Sequence, residues 1–455
     1  MRGRPHVAAA LIAVLTALVA GPAGCSVHKA PGAQGAGGIA GPDQAVNPKA
    51  DVDRGVTASS VTVGAVVFRE DTFAQFGITL GGKRPEDILK PFVDDINEHG
   101  GIAGRHLTVV VTRYSPIVPA EIQTACVEQA QDKKVFVTLA SLLFNSDGER
   151  CLASHQTPVL TSNTSSLADL SRDAGWVRQV SMSKDRMAKN WVDWLVSSGT
   201  ATPATRIGII HGDNAEDNAL NDSVLVPYLR QRGLHVVAQV ALSGETVDTV
   251  TSEAQNAALK LKSVGADLVL PNLDFLRTYA FLGSAGNAEY HPQYSVSDLG
   301  QLSIDATTNF YPSSFAGTTG ITAYVTGQAG PGQDPGSPAF EECLRIYNAH
   351  GQQLATDPMA RLQEVLYLSQ FCELLHLTAK LAVLAGPHLN RASFLDASAT
   401  LGTWTERVTL SGPLTFGPTK YDGPDDFAVI QWQSDCGNAE VSCFRQVRGF
   451  EKGRW

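Results

Sequence analysis

From Val61 onward the chain alternates runs of β-branched residues with amphipathic segments, and this alternation restricts the fold more than any other feature. "VTVGAVVF", "HLTVVVTRY", "KVFVTLAS", "TPVLTS" and "WVRQVSM" read as buried strands. Between them, "ILKPFVDDINEH" places Ile88, Leu89, Phe92, Val93 and Ile96 on one helical face. Pro91 interrupts that face and predicts a kink or a restart. "AEIQTACVEQAQ" and "DGERCLASHQ" are the next helices. After Ser183 a second series begins with the helix "RMAKNWVDWLVSSG". "RIGIIHG", "HVVAQVAL", "ADLVLPN" and "QYSVSD" follow as strands with helices between them. Strands alternating with helices mean parallel sheets covered on both faces. Two series predict two α/β lobes. "AGTTGITAYVTG" reads as a connection back. The tail from Gly412 reads as short strands with turns.

The glycines of "INEHGGIAGRHLTVVV" raise the question of a phosphate loop. Such a loop lies after a strand and before a helix, so that the helix N-terminus meets the anion. Here the helix comes first. Gly100 fits the left-handed position past a helix end, with Ile102 packing back. The motif is a turn. No G-x-S-x-G elbow, P-loop or metal-ligand spacing occurs elsewhere. The chain therefore reads as a non-enzyme without cofactor or metal. His211 near Asp213 is read as a packed or solvated residue. The 455 residues carry a formal charge of -10, which argues against nucleic acid as a partner.

Residues 1–24 read as an export signal. Arg2 and Arg4 precede the short apolar stretch Val7 to Gly21, which falls below the ~20 residues of a membrane span. Ala23 and Gly24 before Cys25 resemble the lipobox of bacterial lipoproteins, which implies acylation at Cys25; plain secretion is the alternative. Residues 25–55, rich in Gly, Ala and Pro, read as a flexible tether. Export permits disulfides. Setting Cys25 aside leaves six of the seven cysteines. Six allow about 15 pairings, and local order favours Cys126–Cys151, Cys343–Cys372 and Cys436–Cys443.

The strand near the start followed by "FVDDINEHGGIAGRHLTVVV" resembles type I periplasmic binding proteins, most closely the leucine/isoleucine/valine-binding branch of ABC-importer receptors. "TPVLTSNTSS", "RIGIIHGDNAEDNAL", "ADLVLPN", "GITAYVTG" and "LSGPLTFGP" match in order. The resemblance implies two Rossmann-like lobes closing on a small molecule about a three-crossing hinge. Residues 56–182 and 326–402 would form lobe one; 183–325 and 403–455 would form lobe two. The crossings are expected near Ser181–Ser183, Ala323–Gly327 and Leu401–Thr405. It further implies a monomer that passes its ligand to an ABC permease. A sensing role toward a membrane partner is the alternative.

Ligands of parallel α/β sheets bind outside the carboxyl ends of strands. In lobe one these ends offer Ser141, Ser162, Asn163, Thr164 and Ser165, with backbone N–H groups at a helix start, a set suited to an anionic group. The alternative is that Ser165 or Ser166 only caps the next helix. In lobe two they carry Asp213, Glu216, Asp217, Asp274 and Asp298. The resemblance implies that Asp298 takes a ligand ammonium, while Glu216 and Asp217 read as solvated loop acids. The family's Tyr-Gly pair is replaced by "NAEDNA", so Phe73 or Phe76 is expected to cover the ligand. An amino acid or similar polar molecule is the expected cargo.

The anchor has a direct test. Cys25→Ala should move the exported protein from the membrane fraction to the soluble one. Sedimentation with membranes in high salt would show another attachment.

Overall fold

A computed structural model of the protein describes residues 53–141, 143–173, 175–326, 337–408, 412–436 and 441–455. The export signal, Cys25 and nearly all of the tether lie outside them. Strands β1 (Ser60–Phe68), β2 (His106–Tyr114), β3 (Val137–Ala140), β4 (Val159–Thr161) and β5 (Val177–Gln179) form an all-parallel sheet in the order β2-β1-β3-β4-β5. Residues Ser60 to Phe68 pair with His106 to Tyr114 in continuous register. Between these strands run α1 (Asp71–Ala74), α2 (Pro85–Glu98), α3 (Pro119–Val127), α4 (Ser146–Ser154) and α5 (Leu167–Arg172).

α2 runs through Pro91 without restarting. A proline in a helix interior costs roughly 3 kcal/mol. Burial of Ile88, Leu89, Phe92 and Ile96 offsets it, at about 1.5–3 kcal/mol for each fully buried side chain. Beyond α2 the glycine motif turns as expected. Gly101 has φ 75°, and a Cβ there would lie 1.9 Å from the Arg105 carbonyl oxygen. Only glycine fits so close an approach.

The second sheet is built from α6 (Lys184–Ser197), β6 (Arg206–Gly212), α7 (Ala215–Leu220), α8 (Val226–Gln231), β7 (His235–Leu242), α9 (Val247–Ser263), β8 (Leu268–Asn272), α10 (Phe275–Asn287), β9 (Gln293–Val296), α11 (Asp305–Thr308) and β10 (Thr319–Thr322). Helices α12 (Pro338–Ala349), α13 (Pro358–Leu384) and α14 (Arg391–Ala399) then return to the first lobe, where α12 and α13 pack on α2. The ribbon β11 (Thr403–Trp404) and β12 (Leu414–Thr415) precedes β13 (Asp426–Gln433) and β14 (Cys443–Lys452). The second sheet has the order β14-β13-β10-β9-β8-β6-β7. β13 and β14 are antiparallel, so the tail widens this sheet rather than forming isolated short strands. The structure joins Cys126 to Cys151, Cys343 to Cys372 and Cys436 to Cys443.

The chain passes between the sheets at Val180–Ser183, at Ala323–Thr326 and at Tyr421–Asp425. The third place is later than Leu401–Thr405. Residues 403–408, expected in lobe two, are held to lobe one through α13. Arg407 forms a buried ion pair with Glu373 at 2.8 Å, and the Val408 N–H donates to the same carboxylate. The first and third crossings then run side by side. Gln179 N–H donates to the Tyr421 carbonyl at 2.8 Å, and Gly423 N–H to the Ser181 carbonyl at 2.7 Å.

Gly423 is where this contact can be broken. An added Cβ would sit 2.0 Å from the Val180 carbonyl oxygen. Because that neighbour is backbone, Gly423→Ala must push the two crossings apart. The variant should lose about 1–3 kcal/mol of stability in a denaturant titration, as overpacking does. Unchanged stability would show that the crossings separate freely.

Candidate functional site

A cavity of about 570 Å³ opens between the carboxyl ends of the two sheets. Its first wall comes from the segments after β2, β3 and β4, and its second from those after β6, β7 and β8. Parallel strands place their following loops at one edge, and two such edges facing each other enclose a site.

Capped helices shape both walls. Asn145 caps α4, Ser166 caps α5, Asn214 caps α7 and Asp274 caps α10, each side chain accepting a backbone N–H three residues on. The cap at Asn214 sets Glu216 and Asp217 in the first turn of α7. Glu216 is not a solvated loop acid. One carboxylate oxygen accepts the Ser166 N–H at 2.7 Å, and the other accepts the Ser146 hydroxyl at 2.9 Å. Both donors belong to the opposite lobe. Lys184, at the start of α6, lies 3.1 Å from Glu216 and 2.8 Å from Asp217. Burial pulls the Lys184 pKa down, but the two carboxylates outweigh it and hold it above its ordinary value.

Of the residues expected in the site, Asn163, Thr164, Asp213 and Asp274 line the cavity. Asp274 also pairs with Arg277 at 2.5 Å. Ser141, Ser162 and Ser165 lie behind the wall. Ser141 bonds the buried Tyr114 hydroxyl. The Ser165 hydroxyl donates to Glu149 at 2.7 Å. Phe73 lines the cavity, whereas Phe76 packs on the lobe-one core outside it.

Asp298 is placed differently from expectation. One of its oxygens accepts the Ser303 and Thr322 hydroxyls at 2.8 and 2.7 Å, and the other accepts the Ala323 N–H at 2.6 Å. All three donors lie in its own lobe or at the second crossing, so the carboxylate belongs to the hinge. Burial raises its pKa to about 6 against the lowering effect of those bonds. Gln301, three residues further on, lines the cavity and reaches lobe one. Its amide nitrogen lies 3.4 Å from both Asn163 Oδ1 and Thr164 Oγ1. In the loop after β9 it is thus Gln301, not Asp298, that lines the cavity.

Sequence reasoning also missed Asn272, the last residue of β8. It is 1% exposed, lines the cavity, and neither atom of its side-chain amide has a hydrogen-bond partner. Buried polar groups are ordinarily paired, so an unpaired amide in a cavity wall points to a ligand. Its place at a strand end in "ADLVLPN" was the available signal.

Glu149 lies behind Asn163 and Ser165. Burial, with added repulsion from Glu216, raises its pKa from 4.5 to about 7. The folded protein thus binds this proton more tightly than the unfolded chain does. Its contribution to stability is present below about pH 4.5 and is lost as pH rises to about 7. Glu149→Gln cannot lose it. The variant's melting temperature relative to the parent should therefore be higher at pH 8 than at pH 4.5. A difference independent of pH would remove Glu149 as a titrating group.

The chain matches the family model described as "Periplasmic binding protein" over residues 86–437. Among curated proteins none matches by sequence. Solved structures share the fold. A Rhodopseudomonas palustris solute-binding protein in complex with 4-hydroxybenzoate is 14% identical at a TM-score of 0.66, over 87% of this chain and 98% of its own. A fatty acid ABC transporter substrate-binding protein from Thermomonospora curvata is 14% identical at 0.64, over 91% and 97%. A branched chain amino acid ABC transporter protein from Thermus thermophilus with bound valine is 11% identical at 0.63, over 87% and 97%. With parallel-strand α/β lobes on either side of a cleft, and a match across most of its length, the chain belongs to the periplasmic binding protein family.

Proposed function

We propose that the protein captures a small polar molecule carrying a cation in the cavity between its lobes and delivers it to an ABC permease. Cys25 would anchor it by lipid to the outer face of the cell membrane. Among the described residues no helix is long and apolar enough to cross a membrane, which agrees with a tethered receptor. The observation that carries the reading is the cavity itself. It is walled by both lobes, and Asn272, whose side-chain amide has no hydrogen-bond partner, is one of its lining residues. Among the described residues eight carboxylates and four cationic side chains line it, and this surplus favours a cation on the ligand. The neighbours named above are binding proteins of ABC transporters, which supports transport as the purpose of capture.

A thermal-shift screen of amino acids, amines, amides, short-chain acids and sugars tests this. A ligand at a hundredfold its Kd should add ~2.7 kcal/mol of stability. Asn272→Ala should weaken that ligand at least tenfold with the unliganded melting point nearly unchanged. A hit that binds Asn272→Ala as tightly as the parent would place capture elsewhere.

A further inference from the structure

At the start of α5, where Ser166 lines the lobe-one wall, the backbone N–H groups of residues 165 to 167 are already taken by the chain itself. Ser165 N–H donates to the Gln179 side-chain oxygen at 2.7 Å, Ser166 N–H to Glu216 at 2.7 Å, and Leu167 N–H to Asp185 at 2.8 Å. The Ser146 hydroxyl also goes to Glu216. The same holds for the positive charges. Among the described lining residues, Arg150 pairs with Asp147, Arg172 with Asp169, Lys184 with Glu216 and Asp217, and Arg277 with Asp274. No lining cation is left to meet an incoming anion. Asp213 and Glu245, by contrast, line the cavity without an ion-pair partner among the described residues.

We propose that Glu216 is a built-in carboxylate occupying the Ser146 and Ser166 donors of lobe one, so that the lobes close without a ligand carboxylate and the cavity selects a cationic cargo that has none. This rests on the reading of the cavity as the cargo site and names the class of cargo. Glu216 reaches from the first turn of α7 to donors on α4 and α5. Lys184 neutralises it at the first crossing, so the contact links closure to the hinge. A cavity of about 570 Å³ remains with this contact made, so the cargo need not displace it. Asn272, with both amide atoms unpartnered, supplies an acceptor for an ammonium N–H and a donor for a second polar atom. A ligand carboxylate would have to expel Glu216 from two hydrogen bonds and leave it beside further carboxylates, which is unfavourable in a low-dielectric cleft.

The test compares amines with the amino acids that differ from them only by a carboxylate: agmatine with arginine, putrescine with ornithine, and isoamylamine with leucine. Calorimetry on the parent protein should find an amine that binds at least tenfold more tightly than its amino acid. Glu216→Ala, which frees the Ser146 and Ser166 donors, should move that ratio at least tenfold toward the amino acid. Glu216→Gln keeps the size and one acceptor, so it guards against misfolding. It should move the ratio in the same direction. Small-angle scattering without ligand should give Glu216→Ala a larger radius of gyration than the parent. An amino acid that binds the parent as well as its amine, or a ratio unmoved in both variants, overturns the cargo class. Equal radii overturn the closing role of Glu216. If no pair binds either protein, the cargo class falls with the reading it rests on, while scattering still decides the place of Glu216.

Discussion

The bond between lobes depends on one buried ammonium. Lys184 stands where the chain first enters lobe two, within 3.1 Å of Glu216 and 2.8 Å of Asp217. Its side chain and that of Glu216 are each about one-tenth exposed. Two carboxylates so close together in a dry cleft would repel each other strongly without it. Beside it, Glu216 accepts two hydrogen bonds from the opposite lobe. The charge that shapes the cleft and the contact that closes it are therefore one interaction.

The hinge likewise buries charge where it meets a hydrogen-bond partner. Glu373 and Arg407 pair at 1–4% side-chain exposure, and Arg407 also donates to the Val180 carbonyl at 2.8 Å. Asp298 accepts three bonds around the second crossing. Asp422 accepts the Ser183 N–H and pairs with Arg186 at 2.7 Å, which joins the third crossing to the first. Each crossing thus has its own buried carboxylate. Movement of one lobe against the other has to pivot around these bonds rather than break them, because an unpaired buried charge is costly.

Much of the fold was legible because its signals are local. β-branched runs and helical faces repeat at their own periods, and the reversed order of helix and glycine turn excluded a phosphate loop without any tertiary information. Helix caps were legible in the same way: Ser166 was identified as a possible cap, and it is one. Pro91 shows where local reasoning fails. A kink or a restart was expected there, and the helix continues without restarting because its buried face meets partners distant in sequence. Residues 403–408 show the same limit, since the Glu373 to Arg407 pair and the Val408 N–H tie them to α13 through a contact that has no sequence period.

The sequence by itself determined the class of fold, the edge of each sheet where a ligand would sit, and the pool of side chains at that edge. These follow from periodicity and from the rule that parallel strands deliver their loops to one side. Only the tertiary structure decided which of those side chains face the cavity. A loop acid's role depends on which donors approach it from another element, and that proximity has no sequence period. Asp298 and Glu216 lie on comparable strand-end loops of one lobe. The first is drawn into the hinge by three neighbouring donors, and the second is held across the cleft by Lys184 and by two serines from the other lobe.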